Sequence, residues 1–184
     1  MKIIAISDTH IKDTIFGRLQ DRLLMMLRKA DIIIHAGDFV TQQVYDELSG
    51  ISRLEAVHGN MDEPALVRKL TERKVIKAGG LRVGIVHEAA LSIQDTTGAR
   101  YMAKEMGADL LIFGHIHRPV IEQSDVIVAC PGSPTSPRLS EPSALELIIE
   151  DGEVSGRIVT FEGAVCGSIR SAATFGSDTF PGNM

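Results

Sequence analysis

The sequence predicts an α/β fold of two packed β-sheets with helices on the outside. Three observations carry that expectation. Short, β-branched apolar runs alternate with helix-period segments over the first third of the chain, as βαβ units with a parallel sheet require. After Leu70 the pattern changes to strand pairs closed by glycine turns, as hairpins require. The chain of 184 residues, 44% hydrophobic and 23% charged, suits one globular domain large enough to bury a real core.

The elements follow in order. Residues 2–6, Lys-Ile-Ile-Ala-Ile, read as a buried strand ending at Ser7-Asp8-Thr9-His10. Residues 15–29 carry Leu19, Leu23, Leu24, Met26 and Leu27 at helical spacing. Residues 32–35 form a second buried strand closed by Ala36-Gly37-Asp38, and residues 42–48 a short helix stopped near Gly50. A third strand over 54–58 leads to Gly59-Asn60-Met61-Asp62, with Pro64 in the first turn of the next helix. Strands over 74–78 and 81–87 flank Gly79-Gly80, and a helix over 94–106 stops at Gly107. The strand at 109–113 ends in Gly114-His115-Ile116-His117. Strands over 126–129, 144–150 and 153–161 follow, the last two joined by Asp151-Gly152. From Gly163 the chain turns to Gly, Ser, Ala and Thr without period. The expected division is a domain over residues 1–162 and a flexible tail over 163–184.

Bulk properties narrow the function. A net charge of −5 gives no global basic footprint for nucleic acid or an anionic membrane. No segment approaches the roughly 20 apolar residues needed to span a bilayer. The apolar run at residues 3–6 is cut short by Asp8, so it reads as no signal peptide. Cys130 and Cys166 lie far apart and read as free thiols of a reducing compartment, which makes the cytoplasm the expected location.

The strand ends are unusual as a set. Asp8 and His10 follow the first strand, Asp38 the second and Asn60 the third; His87 ends a later one, and His115 and His117 follow another. An open α/β sheet places ligands outside the carboxyl ends of its strands, so these seven side chains can meet in one crevice. One strand-terminal Asp commonly caps a turn, and one buried His is commonly structural. Seven such positions, four of them among the chain's six histidines, point instead to metal. Seven oxygen and nitrogen donors without cysteine exceed one tetrahedral zinc and suit two divalent ions. Such a pair activates a bridging hydroxide for in-line attack at phosphorus. The mixed shell favours Mn²⁺ or Ni²⁺, with Fe²⁺, Co²⁺ and Zn²⁺ also acceptable, over Mg²⁺.

In these residues the chain resembles the calcineurin-like metallophosphoesterases. Asp8-x-His10, Gly37-Asp38, Gly59-Asn60, His87 and Gly114-His115-x-His117 match the family's motifs in order. Spacing and length resemble the small archaeal and bacterial phosphodiesterase branch, which includes the retromer subunit Vps29. The resemblance covers about residues 1–161. It implies a four-layer α/β/β/α sandwich of two mixed sheets. It also implies one metal on Asp8, His10, Asp38 and His117, and a second on Asp38, Asn60, His87 and His115. The implied activity is a phosphodiesterase acting on a small phosphodiester, with a Vps29-like interaction scaffold as the alternative. Specialised nucleic-acid binding and membrane association are not expected, and a homo-oligomer is left open.

Departures from the family pattern matter too. Many members follow Gly-Asn with His-Glu, whose His is thought to protonate the leaving group; here Met61-Asp62 stands there. Hydrolysis must then rely on the metals, a neighbouring acid or a leaving group of low pKa. Asp38, Asn60 and His58 are the catalytic candidates, His58 as a phosphate contact or acid. The branch commonly continues His-Gly-His where this chain has His87-Glu88-Ala89, and Glu88 adds negative charge there. Cys130-Pro131-Gly132-Ser133 resembles the branch's Asn-Pro-Gly-Ser loop, with that loop or Arg138 as candidates near the site. Cys130 has no free His–Asp set to activate it as a nucleophile, and His35 reads as structural.

Overall fold

The computed structural model describes residues 1–89, 95–162 and 174–175. Along the chain it contains β1 (Lys2–Ile6), α1 (Asp21–Arg28), β2 (Ile32–Ala36), α2 (Gln42–Ser49), β3 (Leu54–Val57) and α3 (Pro64–Lys69). Then come β4 (Arg73–Ala78), β5 (Leu81–Val86), α4 (Thr97–Glu105), β6 (Leu110–Phe113), β7 (Pro119–Gln123) and β8 (Ile127–Pro131). The last are β9 (Ser143–Glu150), β10 (Glu153–Thr160) and β11 (Thr174–Phe175). One sheet has the order β11-β10-β9-β1-β2-β3 and the other β4-β5-β6-β8-β7. Both are mixed: β1, β2 and β3 run parallel while β9 pairs antiparallel to β1, and β5, β6 and β8 run parallel between antiparallel edge strands.

Strand periodicity builds the layers. Along β1, Ile3 and Ala5 face the second sheet, while Ile4 and Ile6 face the helices. The inter-sheet core joins Ile3, Ile32 and Ile34 to Val83, Ile85 and Ile112. Outside the first sheet, Ile4 and Ile33 pack on Leu23 and Leu27 of α1 and on Val44 and Leu48 of α2. Outside the second, Leu111, Phe113 and Val128 pack on Ala99 and Ala103 of α4. Three apolar interfaces between four layers give the expected α/β/β/α sandwich.

Two elements differ from the sequence reading. Residues 15–20 do not begin the first helix. Gly17 sits at φ +80°, the Glu47 carboxylate accepts the Ile15 N–H at 2.8 Å, and the Ile15 carbonyl accepts from Arg18 and Leu19. The apolar spacing there belongs to a loop anchored by buried Ile11, Ile15 and Leu19. The edge strand β7 was not expected because its residues are half-exposed and carry no alternation; its initial Pro119 suits an edge position. The start of the helix expected at 94–106 and most of the tail expected at 163–184, with Cys166, lie outside the described residues. Within that tail Thr174 and Phe175 pair antiparallel with β10.

Candidate metal centre

The carboxyl ends of β1, β2, β3, β5 and β6 open on one side of the sandwich. Asp8 and His10 leave β1, Asp38 leaves β2, Asn60 follows β3, His87 follows β5, and His115 and His117 follow β6. The backbone bends sharply to bring them together. Asp8, His10, Asp38, His115 and His117 all have φ between +46° and +70°. Left-handed backbone is costly on residues with a Cβ, and clusters of it mark functional sites. The loops lock one another: Asp8 N–H donates to the Gly37 carbonyl at 3.0 Å and His10 N–H to the Asp38 carbonyl at 3.1 Å.

Two sub-clusters form. In the first, His117 Nε2 lies 3.3 Å from Asp8 Oδ1 and 3.2 Å from His10 Nε2, with the two rings stacked. In the second, the Asn60 side-chain oxygen lies 3.0 Å from His87 Nε2 and 3.2 Å from His115 Nδ1. Asp38 sits between them, its Oδ2 3.6 Å from His10 Nε2 and 3.4 Å from His87 Nε2. Asp8, His10 and His117 each offer a ligand atom within 4.8 Å of the others, and so do Asp8, Asp38 and His87. The second triple differs from the pairing that the resemblance implies, because Asp8 lies near both clusters. The contacts of Asn60 and His115 with His87 make the expected second set the better-connected one.

The donor chemistry fits a cation. His87 Nδ1 is 2.8 Å from the Ala36 carbonyl and His117 Nδ1 is 2.6 Å from the Ser136 carbonyl. Each contact requires a proton on Nδ1 and turns the Nε2 lone pair toward the carboxylates. Lone pairs from imidazole, carboxylate and amide thus converge with few hydrogens between them, an arrangement that needs positive charge. A proton answers part of that need. Burial pushes the His87 pKa down, but the Asp38 carboxylate outweighs it, and the imidazole sits above its ordinary value. Burial likewise pushes Asp38 up, while hydrogen bonding with His87 and the Met61 N–H holds it below the usual carboxylate range. Burial lowers the His10 pKa despite the opposing Asp38 charge.

Glycines make room for this convergence. A Cβ on Gly59 would lie 2.2 Å from Asp38 Oδ1, and one on Gly37 2.6 Å from His87 Nδ1. The Pro131–Ser140 loop is part of the support. Ser133 Oγ donates to the Asp8 carbonyl at 2.7 Å, Ser136 orients His117, and Arg138 contributes its N–H to the His117 carbonyl while its side chain is exposed. His35 is fully buried, stacked on Phe39, with Nε2 3.1 Å from Thr9 Oγ1, in keeping with a structural role. Burial raises the pKa of the Cys130 thiol, which is inert there.

All seven predicted donors meet here. The His58 ring is not joined to them: among the described residues it takes part in none of the hydrogen bonds that link the seven, and its backbone N–H donates to the Thr71 carbonyl. Sequence reasoning missed the role of Asp62, whose carboxylate turns inward; its only signal was an acid two residues beyond Asn60.

Comparison with known proteins fits this geometry. The model of the calcineurin-like phosphoesterase superfamily domain matches residues 1–152. A probable metallophosphoesterase of Methanothermobacter thermautotrophicus is 36% identical over 92% of this chain and 98% of its own. The vacuolar protein sorting-associated protein 29 of Schizosaccharomyces pombe is 30% identical over 73% of each chain. The crystal structure of Vps29 of Entamoeba histolytica complexed with Zn²⁺ superposes with a TM-score of 0.74 at 24% identity, over 95% of this chain and 98% of that one.

Proposed function

This chain belongs to the calcineurin-like phosphoesterase superfamily, and from that premise we propose that it is a divalent-metal-dependent phosphodiesterase with two metal ions. The observation that carries the reading is the convergence of seven lone-pair donors, with Asp38 Oδ2 between two histidine clusters. Asp8, His10 and His117 would hold one ion, and Asn60, His87 and His115 the other, with Asp38 shared. When bound, the pair supplies an activated water and charge stabilisation for in-line displacement at phosphorus. The donor set suits Mn²⁺ or Ni²⁺ first, then Fe²⁺, Co²⁺ or Zn²⁺.

The residues around the pair define what the chain adds. Met61 is solvent-exposed and has no ionisable proton to donate, and the Asp62 carboxylate is already engaged by three backbone N–H groups. His58 is the remaining imidazole at this strand end. The substrate is a small diester whose leaving group departs readily. Purified protein loaded with Mn²⁺ or Ni²⁺ should cleave an aryl phosphodiester, and Asn60→Ala should abolish turnover. His58→Gln should cost more as the leaving phenol becomes less acidic if His58 donates the proton. Failure of every divalent metal to support turnover of diesters and monoesters, from about pH 6 to 9, would sink the enzyme reading.

A second reading is an interaction scaffold, supported by the similarity to vacuolar protein sorting-associated protein 29. It expects a stable protein partner whose binding survives Asp38→Asn. The intact donor set favours catalysis.

A further inference from the structure

We propose that Asp62 is a positioning residue that fixes the geometry of the second metal cluster, an inference that rests on the two-metal reading above. Asp62 is buried, 8% exposed, yet among the described residues its carboxylate ion pairs with no cation. Instead it accepts three backbone N–H groups: Oδ1 takes Val40 at 2.7 Å, and Oδ2 takes both Gly59 at 2.7 Å and Asp38 at 3.2 Å. One oxygen atom therefore ties the end of β2 to the end of β3. That tie closes the turn of residues 59–62, which directs the Met61 N–H onto Asp38 Oδ1 at 2.8 Å. With Oδ1 so engaged, Oδ2 is the oxygen left facing His10 and His87. The same turn carries Asn60 against His87 and His115.

The tie also holds strain. Val40 is β-branched at φ +86°, a conformation such a residue rarely adopts, and its N–H is held by Asp62 Oδ1 at 2.7 Å. The first cluster shares the Asp38 loop, through the Asp8 and His10 N–H bonds to the Gly37 and Asp38 carbonyls, but has further supports that Asp62 does not touch. His115 N–H and Ser133 hold the Asp8 side chain and carbonyl, and the Ser136 carbonyl orients His117. Loss of the Asp62 charge therefore loosens the two clusters unequally. An amide in its place has one acceptor oxygen where the carboxylate has two, so it cannot serve Val40 and Gly59 together.

The test is Co²⁺ titration of metal-stripped full-length protein, followed by equilibrium dialysis and by the visible d–d spectrum. Wild type should take up two ions. Asp62→Asn should bind the first within about threefold of wild-type affinity and the second roughly tenfold to a hundredfold more weakly. Its spectrum should match the one-ion stage of the wild-type titration. A D62N protein that binds two ions as wild type does, or that loses both equally, overturns the proposal. Wild type that binds no pair overturns the two-metal reading beneath it, which separates the two failures. Should D62N not fold, adding Val40→Gly relieves the backbone strain. A folded double variant with one tight ion supports the role, and a double variant that still cannot fold makes Asp62 a folding determinant and overturns it.

Discussion

At the end of the sheets remote from the candidate metal donors, the hairpin turns Gly79-Gly80 and Asp151-Gly152 carry left-handed backbone on residues that tolerate it. The turns meet, with the Gly152 N–H on the Gly79 carbonyl at 3.1 Å. At the donor end the same conformation falls on Asp8, His10, Asp38, Val40, His115 and His117. Asp8 and Asp38 tolerate it, but on Val40 and the three histidines it costs about 1–2 kcal/mol more than on glycine. The hairpin end chose residues to suit the backbone. The donor end chose residues for chemistry and holds the backbone by contact: loop-to-loop N–H bonds, the Asp62 carboxylate and the Ser133 hydroxyl. Strain and lone-pair crowding therefore collect at one end, and that end should trade stability for function.

The largest expected effect is on turnover. Asp38→Asn keeps a side chain that tolerates left-handed backbone and can still accept the Met61 N–H, but it removes the shared negative charge. Diester hydrolysis should fall at least about a thousandfold, roughly 4 kcal/mol of barrier. Thermal unfolding of the metal-stripped protein should shift downward only slightly, because the contacts that hold the Asp38 carboxylate ionised act against its burial. A drop as large as that expected below for Gly59→Ala would show the donor end to be held by its charges and remove the contrast.

Next in size is a pair of glycine substitutions. Gly59→Ala puts a Cβ 2.2 Å from Asp38 Oδ1 and 2.5 Å from its backbone nitrogen, so backbone must move. Urea unfolding should show a loss of about 3 kcal/mol, together with weakened metal binding. Gly152→Ala, at φ +83° with open space around the new methyl, should cost only the conformational penalty of about 1 kcal/mol. Equal losses would mean that close approach contributes nothing special at the donor end.

The convergence of the candidate donors was legible from sequence because they sit where strands end, and strand ends were marked by Gly-Asp, Gly-Asn and Gly-His pairs. The layers were legible because the β1 and β2 runs are apolar on both faces. What was not legible was contact over long sequence separation. Residues 15–20 spaced their apolar groups like a helix although Glu47, over thirty residues away, spends the Ile15 N–H in a loop. The strand at 119–123 had no pattern because an edge strand half in solvent needs none. His58 follows β3 beside Gly59, and adjacency in sequence gave no direction for its ring. Asp62 looked like a missing acid's neighbour; only the fold brings three N–H groups onto it.

A smaller contrast concerns pH. Behind the donor loops His35 is fully buried, and burial holds its imidazole well below the ordinary value. In the unfolded chain it titrates near 6.5. As pH falls through that value the unfolded state takes up the proton and the folded state does not, so stability is present above about 6.5 and drains away below it. Each unit of acidification should cost wild type about 1.4 kcal/mol from this group until the folded imidazole itself protonates. Unfolding of metal-stripped wild type and His35→Gln at about pH 8, 6 and 5 checks it, since titrations of the other histidines are common to both. The stability difference between the two should move against wild type as the solution is acidified; a constant difference would show that His35 is not held neutral.

The smallest effect separates strain from chemistry within the donor end. Leu139 has φ +52° and is 57% exposed, so it pays for left-handed backbone without much packing in return. It lies between Arg138 and Ser140, both bonded to the His117 carbonyl, yet makes no donor contact itself. Leu139→Gly should therefore stabilise the fold by up to about 1 kcal/mol, a rise of roughly 2–4 °C, less whatever entropy glycine adds to the unfolded chain. Asp151 has the same φ of +52° at the hairpin end, but aspartate tolerates that region, and Asp151→Gly should change the melting temperature little. Differential scanning calorimetry of the two variants side by side checks the inequality. If both gain equally, residue type has not been matched to backbone at the hairpin end. If Leu139→Gly instead destabilises and weakens the first metal, the Leu139 side chain is itself part of what holds His117, and the donor end extends one loop further than its hydrogen bonds show.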